Sequence, residues 1–158
     1  MNNNKMTIIF FSGTMDKAMA MLILASTAAS MGMEVSIFFT FWGLQFLKKG
    51  RSYSRKNLLQ KMMEFMLPRR KEELPLTTMN MAGMGPAMMK KLMASKHMPS
   101  MDELYSMARE LNVRFYACST SCGIMGLEKE NMIEGVTDVV GAAAFLREAQ
   151  QAEINLFI

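Results

Sequence analysis

Apolar positions along this chain fall into two alternating patterns: short continuous runs and stretches with helical spacing. Met6-Thr-Ile-Ile-Phe-Phe11 is a near-continuous apolar run and predicts a central strand. Ser12-Gly-Thr-Met-Asp16 reads as the turn after it, with Thr14 placed to cap a helix from about Met15 to Met31. Gly32 breaks that helix, and Val35-Ser-Ile-Phe-Phe-Thr40, β-branched and aromatic, predicts a second strand. Phe41–Leu47 opens the next connection as a short helix ending at Gly50. Arg55–Leu67 carries Leu58, Leu59, Met62, Met63 and Met66 at three-and-four spacing, with Lys56, Asn57, Gln60, Lys61 and Glu64 opposite, and Pro68 stops it. This is a basic amphipathic helix. Such a helix lies on a membrane surface, docks a partner, or covers a sheet or oligomer seam, and the last is the expectation here.

Further along, Pro86–Ser95 predicts a helix with Pro86 in its first turn. Ser100-Met-Asp-Glu103 matches a capping box, opening a helix to about Leu111. Val113–Ala117 is the third clear strand, followed by a helical stretch from Cys122 to about Leu127. Ile133–Val136 predicts a short strand, Thr137–Gln151 a helix, and Glu153–Ile158 a last strand. Strands alternating with helices imply an α/β fold with a covered, mainly parallel sheet of about five strands, in three α/β/α layers of flavodoxin-like type. The expected organisation is one domain over residues 1–158, with 48–111 as a helical, Lys/Arg- and Met-rich insertion-like segment. In such sheets ligands sit beyond the carboxyl ends of the strands, where Ser12–Lys17, Thr40–Leu44 and Cys118–Cys122 converge.

Residues 18 to 47 hold a single charge, Glu34, which a hydropathy scan would take for a membrane span. The order helix, glycine, β-branched strand reads instead as a buried parallel strand and its helix. Met1-Asn-Asn-Asn-Lys5 reads as a polar lead into the first strand rather than a signal peptide, so a reducing cytoplasm is the expected setting. The net charge of +4 is polarised. Residues 48–71 carry nine Lys/Arg and one acid, Glu64, for a net +8, leaving −4 for the remainder. That segment reads as a solvated face or as a field for small anions or an acidic partner. Nucleic acid is not expected, because no binding motif accompanies the charge. Methionine is the compositional outlier at 21 residues, twelve of them between Met62 and Met107. The Gly- and Pro-containing stretch Met79–Met89 predicts a lid or a subunit contact. Irregular Met spacing gives no copper(I) site.

Chemistry concentrates at Cys118-Ser-Thr-Ser-Cys122, which contains both cysteines of the chain. Cys118 ends a strand and Ser119-Thr120-Ser121 is a helix-start signal, so backbone N–H groups are expected to face the sulfur and favour its thiolate. The alternatives are a disulfide-forming redox pair and two inert core thiols. Zinc is not expected, because a site needs three or four ligands and His97, a surface residue by its Lys-rich context, is the only histidine. A Ser-His-Asp triad fails on the same ground, and there is no Gly-rich phosphate loop, Ser12-Gly-Thr14 being a weak substitute. Asp16 and Lys17 open the first helix, with Asp16 in a capping position. No cofactor and no metal are called for.

Ser12-Gly-Thr-Met-Asp-Lys17, Met31-Gly-Met-Glu-Val35, Phe38-Phe-Thr-Phe-Trp-Gly-Leu44, Met84-Gly-Pro-Ala-Met-Met-Lys90, Ala117-Cys118 and Met125-Gly126 together resemble the DsrE/DsrF-like proteins over almost the whole chain, in particular their longer branch, often labelled peroxiredoxin-family. The Thr/Pro-x-x-x-Thr-x-x-Cys context of true peroxiredoxins is absent. The resemblance implies a parallel α/β/α sheet, an oligomer, and sulfurtransferase or sulfur-carrier activity. It places a persulfide on the cysteine after the strand, Cys118, with Cys122 auxiliary or resolving. The implied partners are a sulfur donor (thiosulfate, polysulfide or a rhodanese-type protein) and an acceptor sulfur-carrier protein. Ser12, Gly13, Asp16, Lys17, Thr40, Trp42 and Thr120 are the expected pocket residues. A thiol–disulfide redox protein using both cysteines and a non-enzymatic interaction module are the competing functions.

Overall fold

Five parallel strands form one sheet in a computed structural model that describes residues 4–158. The start of the polar lead, Met1–Asn3, lies outside the described residues. The strands are β1 (Lys5–Phe10), β2 (Glu34–Phe39), β3 (Arg114–Cys118), β4 (Val136–Val140) and β5 (Ile154–Phe157), in the order β4-β3-β2-β1-β5. The chain adds β2, β3 and β4 outward on one side of β1, then crosses back to set β5 on its other side. The helices are α1 (Met15–Ser30), α2 (Leu58–Met66), α3 (Met84–Ser95), α4 (Met101–Glu110), α5 (Ser119–Met125) and α6 (Ala142–Ala149). A 3-10 run, Phe41–Leu47, follows β2 in place of the expected helix to Gly50.

Strand alternation divides the sheet into two unequal faces. Parallel pairing aligns Ile8 with Ile37 and Ile37 with Phe115, and aligns Phe10 with Phe39 and Phe39 with Ala117. These rows form the main core with α1, α4, α5 and the Phe41–Leu47 run. Phe10, Phe39, Phe46 and Phe115 are fully buried, each stabilising the fold by roughly 1.5–3 kcal/mol. Phe10 meets Phe39 edge-on at 5.6 Å, Phe39 stacks on Phe46 at 5.5 Å, and Phe115 meets Tyr105 edge-on at 5.0 Å. The opposite face carries a smaller cluster of Phe38, Cys118 and the α6 residue Phe145.

Three further sequence expectations change. The strand expected at Ile133–Val136 lies at Val136–Val140, and the helix expected from Thr137 begins at Ala142. Val136-Thr-Asp-Val-Val140 is an edge strand, half-wet, and so lacks the continuous apolar signal of the inner strands. Thr137 Oγ1 also accepts from Phe115 N at 3.0 Å beside an irregularity in the β3–β4 register. Second, α5 starts at Ser119, directly after the strand, rather than at Cys122.

The third change is the orientation of α2. The face expected to be buried is outside: Leu58, Leu59, Met62, Phe65 and Met66 are exposed. Glu64 is turned inward, accepting from Lys48 at 2.7 Å and from Lys56 at 2.8 Å, all three side chains being almost fully buried. An ionised carboxylate with two ammonium partners outweighs the apolar stripe in setting the helix's rotation, because an unpaired buried charge costs several kcal/mol. Asn57 and Gln60 form a capping box at the start of α2, and the Gln60 amide also donates to the Gly123 and Ile124 carbonyls, tying α2 to α5. The expected capping box of α4 is present, with Ser100 and Glu103 exchanging bonds.

Candidate functional site

Cys118 is the last residue of β3 and α5 begins at the next residue. Strand alternation puts its side chain on the same face as Tyr116, under α6. Phe38 and Phe145 stack at 4.6 Å in the cluster that contains the sulfur, and Cys118 is 6% exposed. The other side of the thiol is polar. Burial opposes its ionisation, but the backbone N–H and hydroxyl of Ser121, the Thr40 hydroxyl and the backbone N–H of Thr120 outweigh it. Together they bring the thiol below its ordinary value. The Thr40 and Ser121 hydroxyls are themselves hydrogen-bonded at 2.8 Å across the gap between β2 and α5, so one O–H is given to the other hydroxyl and the second is left for the sulfur.

Cys122 behaves differently. It lies one turn into α5 and packs in the main core, separate from the Phe38–Phe145 cluster. Burial pushes its thiol up to about 12, with the neighbouring Cys118 thiolate adding to the effect. Both cysteines are free. The four-residue spacing therefore joins one thiol disposed to ionise with one held neutral.

The remaining expected pocket residues separate into groups. Thr40 and Thr120 join Cys118, Thr120 through its backbone, since its side chain is exposed. Gly13 and Trp42 meet through backbone: Gly13 has φ of +53°, and a Cβ there would stand 2.2 Å from the Trp42 carbonyl oxygen. Only glycine permits that approach of the loops after β1 and β2. The Trp42 side chain itself is exposed. Lys17 donates to Ser12 at 3.2 Å within the first loop. Asp16 faces away toward Thr77, accepting from its N–H and hydroxyl, both at 3.1 Å. It lines a cavity of about 610 Å³ with Leu76, Met88 and Leu92. Burial works against its ionisation, and the Thr77 and Thr14 bonds hold its carboxyl below the usual range.

Ser121, Phe38 and Phe145 complete the thiol's surroundings and are absent from the sequence-derived set. Ser121 was legible as part of the helix-start signal, and Phe38 as a neighbour of Cys118 by strand alternation. Phe145 carried no local signal, because its contact depends on the return of α6 over the sheet.

The polar character of residues 48–71 is partly internal. Lys48, Lys56 and Lys71 are buried, Lys71 pairing with Asp102 at 2.6 Å and Glu72 at 2.8 Å. His97 is exposed. Among the described residues, no three His, Cys, Asp or Glu side chains gather as a metal set, and no helix is long and apolar enough to cross a membrane.

A parallel α/β sheet with an ionisable thiol at a strand end defines the class of protein, and comparison with known sequences gives the family. A sequence model of the DsrE/DsrF/DrsH-like family matches residues 2–157, and the chain belongs to that family. It is 40% identical over 153 residues to the uncharacterized protein YrkE of Bacillus subtilis, covering 96% of this chain and 95% of that one. It is 39% identical over 160 residues to the sulfur carrier protein DsrE2 of Allochromatium vinosum, covering all of both. Among solved structures it is similar to the ychN protein of E. coli, with a TM-score of 0.52 at 11% identity over 98% of this chain and 99% of that one. That last likeness concerns the fold alone.

Proposed function

We propose that this chain is a sulfur carrier that holds sulfane sulfur as a persulfide on Cys118 and yields it to an acceptor thiol. The observation that carries the reading is the set of N–H and O–H donors from Thr40, Thr120 and Ser121 that favours the Cys118 thiolate. The similarity to a sulfur carrier protein supports it. With thiosulfate as donor, the Cys118 thiolate attacks the sulfane sulfur. The new bond joins the two sulfurs, the old S–S bond breaks, and its electron pair leaves on sulfite. With a polysulfide or a rhodanese-type persulfide, the shortened chain or the donor thiolate is the leaving group. Protonated from solvent, the Cys118 persulfide is then attacked at its outer sulfur by an acceptor thiolate, such as that of a sulfur-carrier protein. Cys118 leaves as thiolate, the proton staying on the transferred sulfur. The same donors serve both halves, since what stabilises a thiolate nucleophile also makes it a better leaving group.

Cys122 has no step in this cycle. A Cys118–Cys122 switch draws no support from a second thiol that is held neutral and packed in a different cluster. The reading also takes the chain as a cytoplasmic homo-oligomer. Its test is cyanolysis: load the protein with polysulfide, desalt it, add cyanide and measure thiocyanate. One thiocyanate per wild-type chain and none from Cys118→Ser is the expected result. Equal yields from the two, or none from either, would exclude it.

A further inference from the structure

The outward face of α2 is a feature that the sulfur chemistry leaves unused. Leu58, Leu59, Met62, Phe65 and Met66 follow the spacing of one helical face and stand 57–83% exposed. The helix is not free to turn them inward. Glu64 is held by Lys48 and Lys56, the Asn57–Gln60 box fixes the first turn, and Gln60 bonds α5. The Glu64 pairs and the Gln60 bonds to α5 thus keep a row of bulky apolar side chains in water.

Charge around this row is mainly basic, the acids beside it being Glu128, paired with Arg55 at 3.4 Å, and Glu73, which accepts from the Arg69 N–H. Lys61 lies three residues after Leu58 and four before Phe65, so it stands at the border of the apolar face. Lys49, Arg55, Arg69 and Arg70 flank the helix and are exposed, while Glu64, the acid of residues 48–71, is buried and already shared by two lysines. Two copies meeting face to face through α2 would bring like charges together at the seam. An anionic surface is complementary. The row is also a ridge of flexible side chains, which an acyl layer receives without a matching groove, while long Lys and Arg stems reach the headgroups.

We propose that α2 docks the protein on an anionic lipid bilayer, with Leu58, Leu59, Met62, Phe65 and Met66 inserted at the headgroup–acyl boundary and Lys61, Arg69 and Arg70 on lipid phosphates. The chain is held peripherally, by one short helix and its charges. The proposal is independent of the persulfide chemistry.

The test is sedimentation of the full 158-residue chain with two kinds of vesicle. One is phosphatidylcholine alone, and the other an equal mixture with phosphatidylglycerol. The wild type is expected to sediment with the mixed vesicles, not with phosphatidylcholine alone, and to release as salt rises. Lys61→Glu/Arg69→Glu is expected to weaken binding by about tenfold or more, since each basic residue near the surface contributes on the order of 1 kcal/mol. Leu59→Glu/Phe65→Glu is expected to abolish binding with its thermal midpoint and Cys118 alkylation retained. Equal binding of both vesicles, or wild-type binding by the Leu59/Phe65 variant, overturns the proposal. So does failure to bind either vesicle, which leaves the face to a second copy if that variant elutes smaller on gel filtration, and otherwise to a protein partner.

Discussion

Cys118 sits between an aromatic wall and a polar cradle that act on its proton in opposite directions. Burial against Phe38 and Phe145 favours the thiol, and the donors from Thr40, Thr120 and Ser121 favour the thiolate and prevail. The pH profile of Cys118 alkylation is therefore expected to have its midpoint below that of a free cysteine, about 8.5. Thr40→Val and Ser121→Ala should each move it upward, and Cys122 should stay unreacted near neutral pH. At Glu64 the balance concerns stability. Burial raises its carboxyl, and the Lys48 and Lys56 bonds more than offset that, so its folded value lies below the usual range. The folded chain then binds fewer protons than the unfolded one in acid. The stabilisation is present above the unfolded value, about 4.3, and is lost as pH falls through the lowered folded value. Lys48 is also held below its ordinary value, which for an ammonium disfavours the charged form: burial is the largest influence on it, and one carboxylate is divided between two lysines. Glu64→Gln is expected to cost about 3 kcal/mol by urea denaturation, the low end for a broken buried pair, since Lys48 can shed its proton. The cysteines and their neighbouring hydroxyls were legible from the sequence. The Glu64 triad was not, because Lys48 lies outside the helix expected at Arg55–Leu67, and Lys56, read as part of that helix's outer face, precedes α2.

Among the helices, α6 packs over the face of the sheet that holds the sulfur. It begins after Gly141, lays Phe145 on Phe38, and sends Glu148 to Ser36 at 2.7 Å and to Arg114 and Tyr116, each at 3.4 Å. Phe145→Ala removes the wall over Cys118 and keeps the Glu148 contacts. It is expected to cost about 3 kcal/mol and to raise the Cys118 alkylation rate at constant pH. A rate no faster than wild type would mean that the sulfur is reached from the Thr40–Ser121 side. The inner strands were readable because parallel strands buried on both faces are continuous apolar runs. The β4–α6 boundary was displaced because an edge strand shares its polar composition with a helix start. The rotation of α2 was inverted because a hydrophobic stripe predicts burial only where no buried charge competes.

Across the molecule, the two faces of the sheet divide the work. One carries most of the helices and nearly all of the apolar core, including Cys122. The other is closed around Cys118 by a single short helix, α6. Fold class and strand count followed from the alternation of elements, while the proposed assignment of the two cysteines to different roles rests on the two faces. The most direct test of that assignment is the intact mass of wild type, Cys118→Ser and Cys122→Ser after exposure to polysulfide and desalting. The expected result is one added sulfur on wild type and on Cys122→Ser, and none on Cys118→Ser. Sulfur retained by Cys118→Ser, or lost from Cys122→Ser, would contradict a carrier built on Cys118 alone.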